Sequence, residues 1–139
     1  MPSRATAKST SEALQQVFDD LRKLMSRYAP PFKKTMGCVK NKLDLNLTVP
    51  EPVVIPGAYG GKPVPIAMAS IIMQSGYVGF YYMPVYCSPK ISKTLSPQLM
   101  KLLKGKSCFH VKSLDAGLRK DVKVALDLGV KFFRERKWI

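Results

Sequence analysis

The spacing of the apolar residues changes twice along this chain, and this change restricts the fold more than any other sequence feature. Apolar residues first recur at three- and four-residue steps, then alternate with polar residues, and finally return to the helical spacing. An amphipathic helix and a half-buried strand each need another element to cover the apolar side. The pattern therefore predicts an α+β domain in which N- and C-terminal helices pack on an antiparallel sheet of about five strands.

The first helix is predicted from its cap, its apolar stripe and its stop. Ser9 and Glu12 have the spacing of a capping box, and Pro30-Pro31 cannot continue a helix. The stripe between them contains Leu14, Val17, Phe18, Leu21, Leu24, Met25 and Tyr28. Residues 1–10 lack an apolar segment, which predicts a disordered tail and no signal peptide, followed by one domain over residues 11–139.

The middle of the chain predicts antiparallel strands. Residues 43–49 alternate between apolar and polar side chains, and residues 53–55 form a short β-branched run between prolines. Residues 66–73 and 77–83 read as a hairpin that Gln74-Ser75-Gly76 closes.

The last third predicts a short helix, one strand and a long amphipathic helix. Ser96-Pro97 begins the short helix, which ends near Leu103, and residues 107–111 follow as a strand. In the long helix, from about Asp115 to Lys137, helical geometry separates two faces. The apolar face contains Leu118, Val122, Ala125, Leu126, Gly129, Phe132 and Phe133, and the cationic face contains Arg119, Lys120, Lys123, Lys131 and Arg134.

The net charge is the most unusual total of the sequence. With 23 Lys and Arg against 9 Asp and Glu, the chain has a formal net charge of +14, and a field of that sign attracts anionic partners. No apolar run is long enough to span a membrane, so no membrane partner is expected. The cysteines are Cys38, Cys87 and Cys108; their odd number and wide spacing argue against a disulfide framework and favour the cytoplasm.

Two short motifs are candidate sites of chemistry. Gly105-Lys106-Ser107 resembles the end of a P-loop, but Met100 stands where that pattern needs glycine, which leaves a basic turn able to touch an anion. Cys108 and His110 project from one face of a strand and supply at most two metal ligands, where a structural zinc site needs four. Their side chains, about 7 Å apart on a regular strand, are also too far apart for a nucleophile pair. The sequence thus predicts no enzyme, no metal and no cofactor.

Tyrosines around the second half of the hairpin form the richest aromatic cluster. Val78, Phe80 and Tyr82 point to one face of the strand, and Tyr77, Gly79 and Tyr81 point to the other. Either both faces are buried in a core, or the second face is a shallow ligand pocket or a homodimer patch.

These features predict a non-enzymatic binding module for an anionic small molecule or partner. The predicted ligand-binding residues are Tyr81, Tyr82, Tyr86, Lys104, Lys106 and His110, with tyrosines packing on the ligand and the basic groups holding its charge. The alternative is a nucleic-acid-binding accessory protein that uses the cationic face of the last helix, namely Arg119, Lys120, Lys123, Lys131 and Arg134.

Two segments carry a resemblance to a known family. Residues 70–86, SIIMQSGYVGFYYMPVY, and residues 95–112, LSPQLMKLLKGKSCFHVK, resemble the YdhG-like bacterial family, labelled domain of unknown function 1801. The resemblance implies a small cytoplasmic α+β domain, and most members have no assigned activity. It also suggests an iron-handling chaperone by family association only, a role that would need an acidic ridge which this basic chain lacks.

Overall fold

The computed structural model describes the backbone of residues 2–39 and 42–139, and the side chains of residues 12–37 and 42–139. Helix α1 spans Pro2–Ser26 and so begins before the predicted cap at Ser9, which lies within the helix. Ala, Lys and Arg in the first turns favour helix, and Pro2 is tolerated in a first turn. The backbone of residues 2–10 therefore extends α1 where the sequence predicted a disordered tail, and the side-chain bonds of the predicted capping box lie outside the described residues.

The strands form one six-stranded antiparallel sheet with the order β1-β2-β3-β4-β6-β5. The strands are β1 Lys33–Val39, β2 Lys42–Thr48, β3 Ala67–Met73, β4 Val78–Tyr82, β5 Leu103–Lys104 and β6 Cys108–Val111. The α+β class, the strand at 43–49 and the hairpin of β3 and β4 are confirmed.

The strand list differs from the prediction at three places. Val53 makes only an isolated bridge with Val64, since prolines on both sides of this run prevent a longer ladder. The sequence did not predict β1, an edge strand that starts with Lys33-Lys34, or β5, which is two residues long. These two strands replace the predicted one at 53–55, so the described part of the chain has six strands instead of about five.

Three short helices follow β4. They are α2 Met83–Cys87, α3 Pro89–Thr94 and α4 Pro97–Met100. Each has proline in its first turn, where a missing N–H costs nothing, and this explains why β4 ends at Tyr82. The predicted cap of α4 is confirmed because Ser96 Oγ accepts a hydrogen bond from the Leu99 N–H at 3.1 Å, although α4 ends before the predicted Leu103.

The last helix, α5, spans Ala116–Glu135. Asp115 caps it by accepting the Leu118 N–H at 2.7 Å. The buried residues of α5 are Leu118, Val122, Ala125, Leu126, Gly129, Phe132 and Phe133, which confirms the predicted apolar face. Helical periodicity alone therefore oriented this element correctly.

The core lies between one face of the sheet and the helices. Both α1 and α5 pack on β3, and α1 also contacts β4. On the central strands Val78, Phe80 and Tyr82 are completely buried beneath these helices. The opposite face, which we call the outer face, presents half-buried Asn46, Ser70, Tyr77, Tyr81, Cys108 and His110. Because neighbouring residues of a strand point to opposite faces, the alternation on β4 separates core tyrosine from outer-face tyrosine.

Candidate functional site

A cavity of about 360 Å³ opens at the β5–β6 edge of the sheet, between α4 and the first turn of α5. Its lining consists of Gln98, Lys101, Leu102, Lys104, His110, Lys112, Ser113, Asp115 and Leu118. We call it the lysine cavity, because Lys101, Lys104 and Lys112 contribute its positive charge. The volume falls in the lower part of the range that small-molecule sites occupy.

The β5–β6 hairpin, the end of α4 before it and the segment after it bring these basic groups together. Lys101 is the C-cap of α4, and Lys104 pairs with Cys108 across β5 and β6. Gly105 turns the chain with a φ of 87°, a left-handed conformation that glycine adopts without strain. The His110 N–H donates to the Leu102 carbonyl at 2.9 Å, which extends the pairing to the cavity wall. Lys112 comes two residues after His110 and therefore continues the same side of the strand.

The wall has an excess of positive charge. Within the described part of the chain, none of its lysines makes an ion pair with a carboxylate. Asp115 is the one acid of the lining, and its Oδ1 is already engaged in capping α5. Like charges that converge without partners repel one another, so an anion that enters the cavity relieves this repulsion.

The imidazole of His110 is held in place by a tyrosine. The rings of Tyr77 and His110 stack with their centroids 3.8 Å apart and their planes 13° apart. His110 lies opposite Gly79, and the Tyr81 ring occupies the space beside this glycine, since a Cβ there would lie 2.8 Å from Tyr81 Cε1. Tyr77 covers one face of the imidazole, and His110 is also a lining residue of the lysine cavity.

The structure divides the predicted ligand-binding residues among four places. Lys104 and His110 line the lysine cavity. Lys106 and Tyr86 form a separate exposed pair, with Lys106 Nζ 5.4 Å from the centroid of the Tyr86 ring. Tyr81 lies on the outer face, where its hydroxyl accepts a hydrogen bond from Gln74 Nε2 at 3.2 Å.

The placement of Tyr82 corrects the predicted group. Tyr82 is completely buried, and its hydroxyl donates to the Ala125 carbonyl of α5. Burial also raises the pKa of this phenol. Adjacent residues of a strand face opposite ways, so Tyr81 and Tyr82 cannot line one site, and Tyr82 belongs to the core.

Cys108 and His110 share a face of β6 but do not act as a unit. The imidazole stacks on Tyr77, and burial raises the pKa of the Cys108 thiol, although the Tyr81 hydroxyl lowers it in part. A raised pKa leaves less thiolate, which is the nucleophilic form. Among the described residues no three His, Cys, Asp or Glu side chains converge as metal ligands, and the side chain of Cys38 lies outside them.

The predicted nucleic-acid residues also separate. Arg119, Lys120 and Lys123 face α1 across two adjoining cavities of about 270 and 300 Å³. Lys23 of α1 and Arg27, which directly follows α1, also line them. We call these five residues the basic groove. Lys131 lies farther along α5 and lines a smaller cavity together with Glu135 of α5 and Lys90 of α3. Arg134 is exposed and lines none of these three cavities.

Two of the groove cations already have acidic partners. Arg119 Nη2 lies 3.0 Å from Asp20 Oδ2, and Lys123 Nζ lies 3.2 Å from Asp127 Oδ2. Lys23, Arg27 and Lys120 make no ion pair within the described residues.

Sequence reasoning missed several residues of both sites. Lys112 was detectable, because it alternates in phase with His110 along the strand. Lys101 and Gln98 reach the lysine cavity only because α4 folds back against α5, and Lys23 and Arg27 reach the basic groove only because α1 packs beside α5. No local sequence pattern predicts which distant segments line the same cavity.

The geometry thus defines an α+β domain with a half-buried outer sheet face, a basic cavity at one sheet edge and a basic groove between its long helices. No family model, curated protein or solved structure matches this chain. The resemblance to the YdhG-like family therefore stays a prediction. Within the described residues, no helix has the length and apolar character needed to cross a membrane.

Proposed function

We propose that this protein is a non-enzymatic binding module for a small anionic ligand, held in the lysine cavity. The observation that carries the proposal is the convergence of Lys101, Lys104 and Lys112 on one cavity without ion-pair partners among the described residues. A phosphate or carboxylate accepts charge-assisted hydrogen bonds from ammonium groups, which are about twice as strong as neutral ones.

The absence of catalysis is part of this proposal. Burial raises the pKa of Cys108, and its neighbour His110 is engaged with Tyr77, which supports a binding role over a nucleophilic one. A cytoplasmic location also belongs to the proposal, and the free thiols of Cys87 and Cys108 support it.

The test is calorimetric titration of the purified protein with inorganic phosphate, pyrophosphate and citrate. We expect the double variant Lys104→Gln/Lys112→Gln to lose about tenfold or more in affinity, since a hydrogen bond to a charged group contributes about 1.5–3 kcal/mol. The matched control is Lys62→Gln/Lys93→Gln, which removes two exposed lysines outside the cavity lining. Equal affinity of the two double variants would contradict the proposal.

We propose as a second candidate that the basic groove binds the phosphate backbone of a nucleic acid. The supporting observation is that α1, the residue after it and α5 bring five cations to adjoining cavities. Of these, Lys23, Arg27 and Lys120 make no ion pair within the described residues. Such a groove binds without reading sequence, and its affinity falls steeply with salt because the protein displaces counterions from the phosphates.

A further inference from the structure

We infer that the ligand of the lysine cavity carries a planar heteroaromatic ring beside its anionic group, the combination found in a nucleotide; the inference rests on the proposed function. A bare anion would use only part of the cavity wall. The remaining wall has a different chemistry, and that chemistry specifies the second half of the ligand.

The first evidence is the apolar part of the lining. Leu118 is buried, Leu102 is half-buried, and both line the cavity together with His110. Placing a charged group against aliphatic carbon removes water from the charge without a compensating hydrogen bond. The surface formed by these three side chains therefore favours an apolar or aromatic group of the ligand.

The second evidence is the orientation of His110. The near-parallel stack on Tyr77, at 3.8 Å, keeps the imidazole from rotating freely at the cavity edge. Aromatic rings gain from offset stacking or edge contacts with one another, and each base that stacks on an aromatic side chain contributes measurably to nucleotide binding. A rigid two-ring platform beside lysines thus suits a base with its phosphate nearby.

The third evidence is a pair of uncommitted polar groups. Gln98 and Ser113 line the cavity, and their side chains make no hydrogen bond within the described part of the chain. A carboxamide offers a donor and an acceptor side by side, which matches the edge of a nucleobase. Gln98 Oε1 would lie 3.9 Å from a Cβ placed on Gly117, so this amide lies over the first turn of α5.

The shared chemistry is a base and a phosphate, which a free mononucleotide or the terminal nucleotide of a strand can supply. The test compares inorganic phosphate, ribose 5-phosphate, AMP and a short deoxyadenosine oligonucleotide by calorimetry. We expect AMP to bind the unaltered protein about tenfold more tightly than ribose 5-phosphate, as stacking of one base on an aromatic side chain implies. A still tighter oligonucleotide whose affinity also falls in Lys104→Gln/Lys112→Gln points to the strand in this cavity, and one weaker than AMP points to the free nucleotide.

The variant that isolates the ring is Tyr77→Leu. It should remove the preference for AMP over ribose 5-phosphate while ribose 5-phosphate still binds, because the lysines remain. Tyr86→Leu is the matched control and should keep the preference, since the exposed Tyr86 pairs with Lys106 and does not support the imidazole of His110 as Tyr77 does. Gln98→Ala, an exposed position that folding tolerates, should also weaken AMP binding selectively, and it replaces Tyr77→Leu if that variant is unfolded.

The outcomes separate the two proposals. Equal affinity for AMP and ribose 5-phosphate in the unaltered protein would overturn the ring and leave the anion site standing. Failure of inorganic phosphate, ribose 5-phosphate and AMP to bind at all would overturn both. A preference for AMP that survives both Tyr77→Leu and Gln98→Ala would place the ring elsewhere and also overturn the inference.

Discussion

At the scale of single residues, Tyr82 links the sheet to the last helix. Its ring is completely buried, and its hydroxyl donates to the Ala125 carbonyl. Tyr82→Phe should lower the free energy of unfolding by about 1 kcal/mol, the net contribution of a typical hydrogen bond. Urea denaturation measures this loss. In Tyr86→Phe, the control, a ring that is 59% exposed loses its hydroxyl and stability should not change; an equal loss in both variants would contradict the assignment.

Tyr82 also makes stability depend on alkaline pH. Burial raises the pKa of this phenol above its ordinary value, so the folded state keeps the proton after the unfolded chain has released it. Its contribution is therefore complete below about pH 10 and is lost as the pH rises above that value. Burial and a hydrogen bond to Asp127 raise the pKa of Tyr28 as well, with the same sign of effect.

The measurement is the free energy of unfolding at pH 9 and pH 11. We expect a fall in the unaltered protein and a smaller fall in Tyr82→Phe, which lacks the ionising group. The difference between the two falls isolates Tyr82 from Tyr28 and from the cysteines. Identical falls would show that Tyr82 ionises with its ordinary pKa.

At the scale of elements, α5 packs so closely on β3 that a methyl group has no room. A Cβ on Gly129 would lie 2.6 Å from Met68 Sδ and 3.2 Å from Cε1 of the buried Tyr82 ring. Gly129→Ala should therefore destabilise the protein by about 1–3 kcal/mol, because overpacking outweighs the better helix propensity of alanine.

Gly117→Ala in the same helix is the matched control. A Cβ there meets its nearest atom, Asp115 Oδ1, at 3.5 Å, an ordinary contact, and the position is exposed. This substitution should leave stability unchanged or raise it by up to about 1 kcal/mol through helix propensity. Thermal denaturation of both variants decides the matter, and a loss in Gly117→Ala as large as that in Gly129→Ala would refute the packing argument.

The elements differ in how far sequence predicts them. The α5 helix was predicted with its start and its complete apolar face, because a long amphipathic period needs no information from other segments. The β1 strand was missed, since an exposed edge strand with Lys33, Lys34 and Gly37 has no apolar alternation and forms only by pairing with β2. A local apolar pattern predicts helices and strands that bury one face. It does not predict a strand that forms only by hydrogen-bonding to a neighbouring strand.

At the scale of the whole molecule, the net charge of +14 comes from the two ends of the chain, with +6 in residues 1–42 and +9 in residues 90–139, against −1 in the residues between them. The lysine cavity includes Asp115 and Leu118, and the basic groove adjoins Ala116 and Arg119, so the two basic sites lie on either side of the first turn of α5. The two candidate sites therefore adjoin the same turn of α5.

The groove makes a prediction that a diffuse basic surface does not. If it binds duplex DNA, Arg27→Gln/Lys120→Gln should reduce the slope of log affinity against log salt by about 0.9 for each phosphate that the variant no longer neutralises. Lys131→Gln/Arg134→Gln removes the same charge from the far end of α5 and should change the slope less. Fluorescence anisotropy with a labelled duplex at several salt concentrations measures both. Equal slopes in the two double variants would show that binding follows net charge alone.

Sequence by itself determined the α+β class, the direction of the apolar face of α5, the alternation that separates Tyr81 from Tyr82, and the positive field. These features follow from the 3.6-residue and two-residue periods and from composition, which are local or additive properties. Only the tertiary structure decided which cations line the same cavity: Lys101 with Lys112 in one, and Arg27 with Lys120 in another. These groupings depend on how distant segments pack, and no short stretch of sequence encodes the distance between two of them.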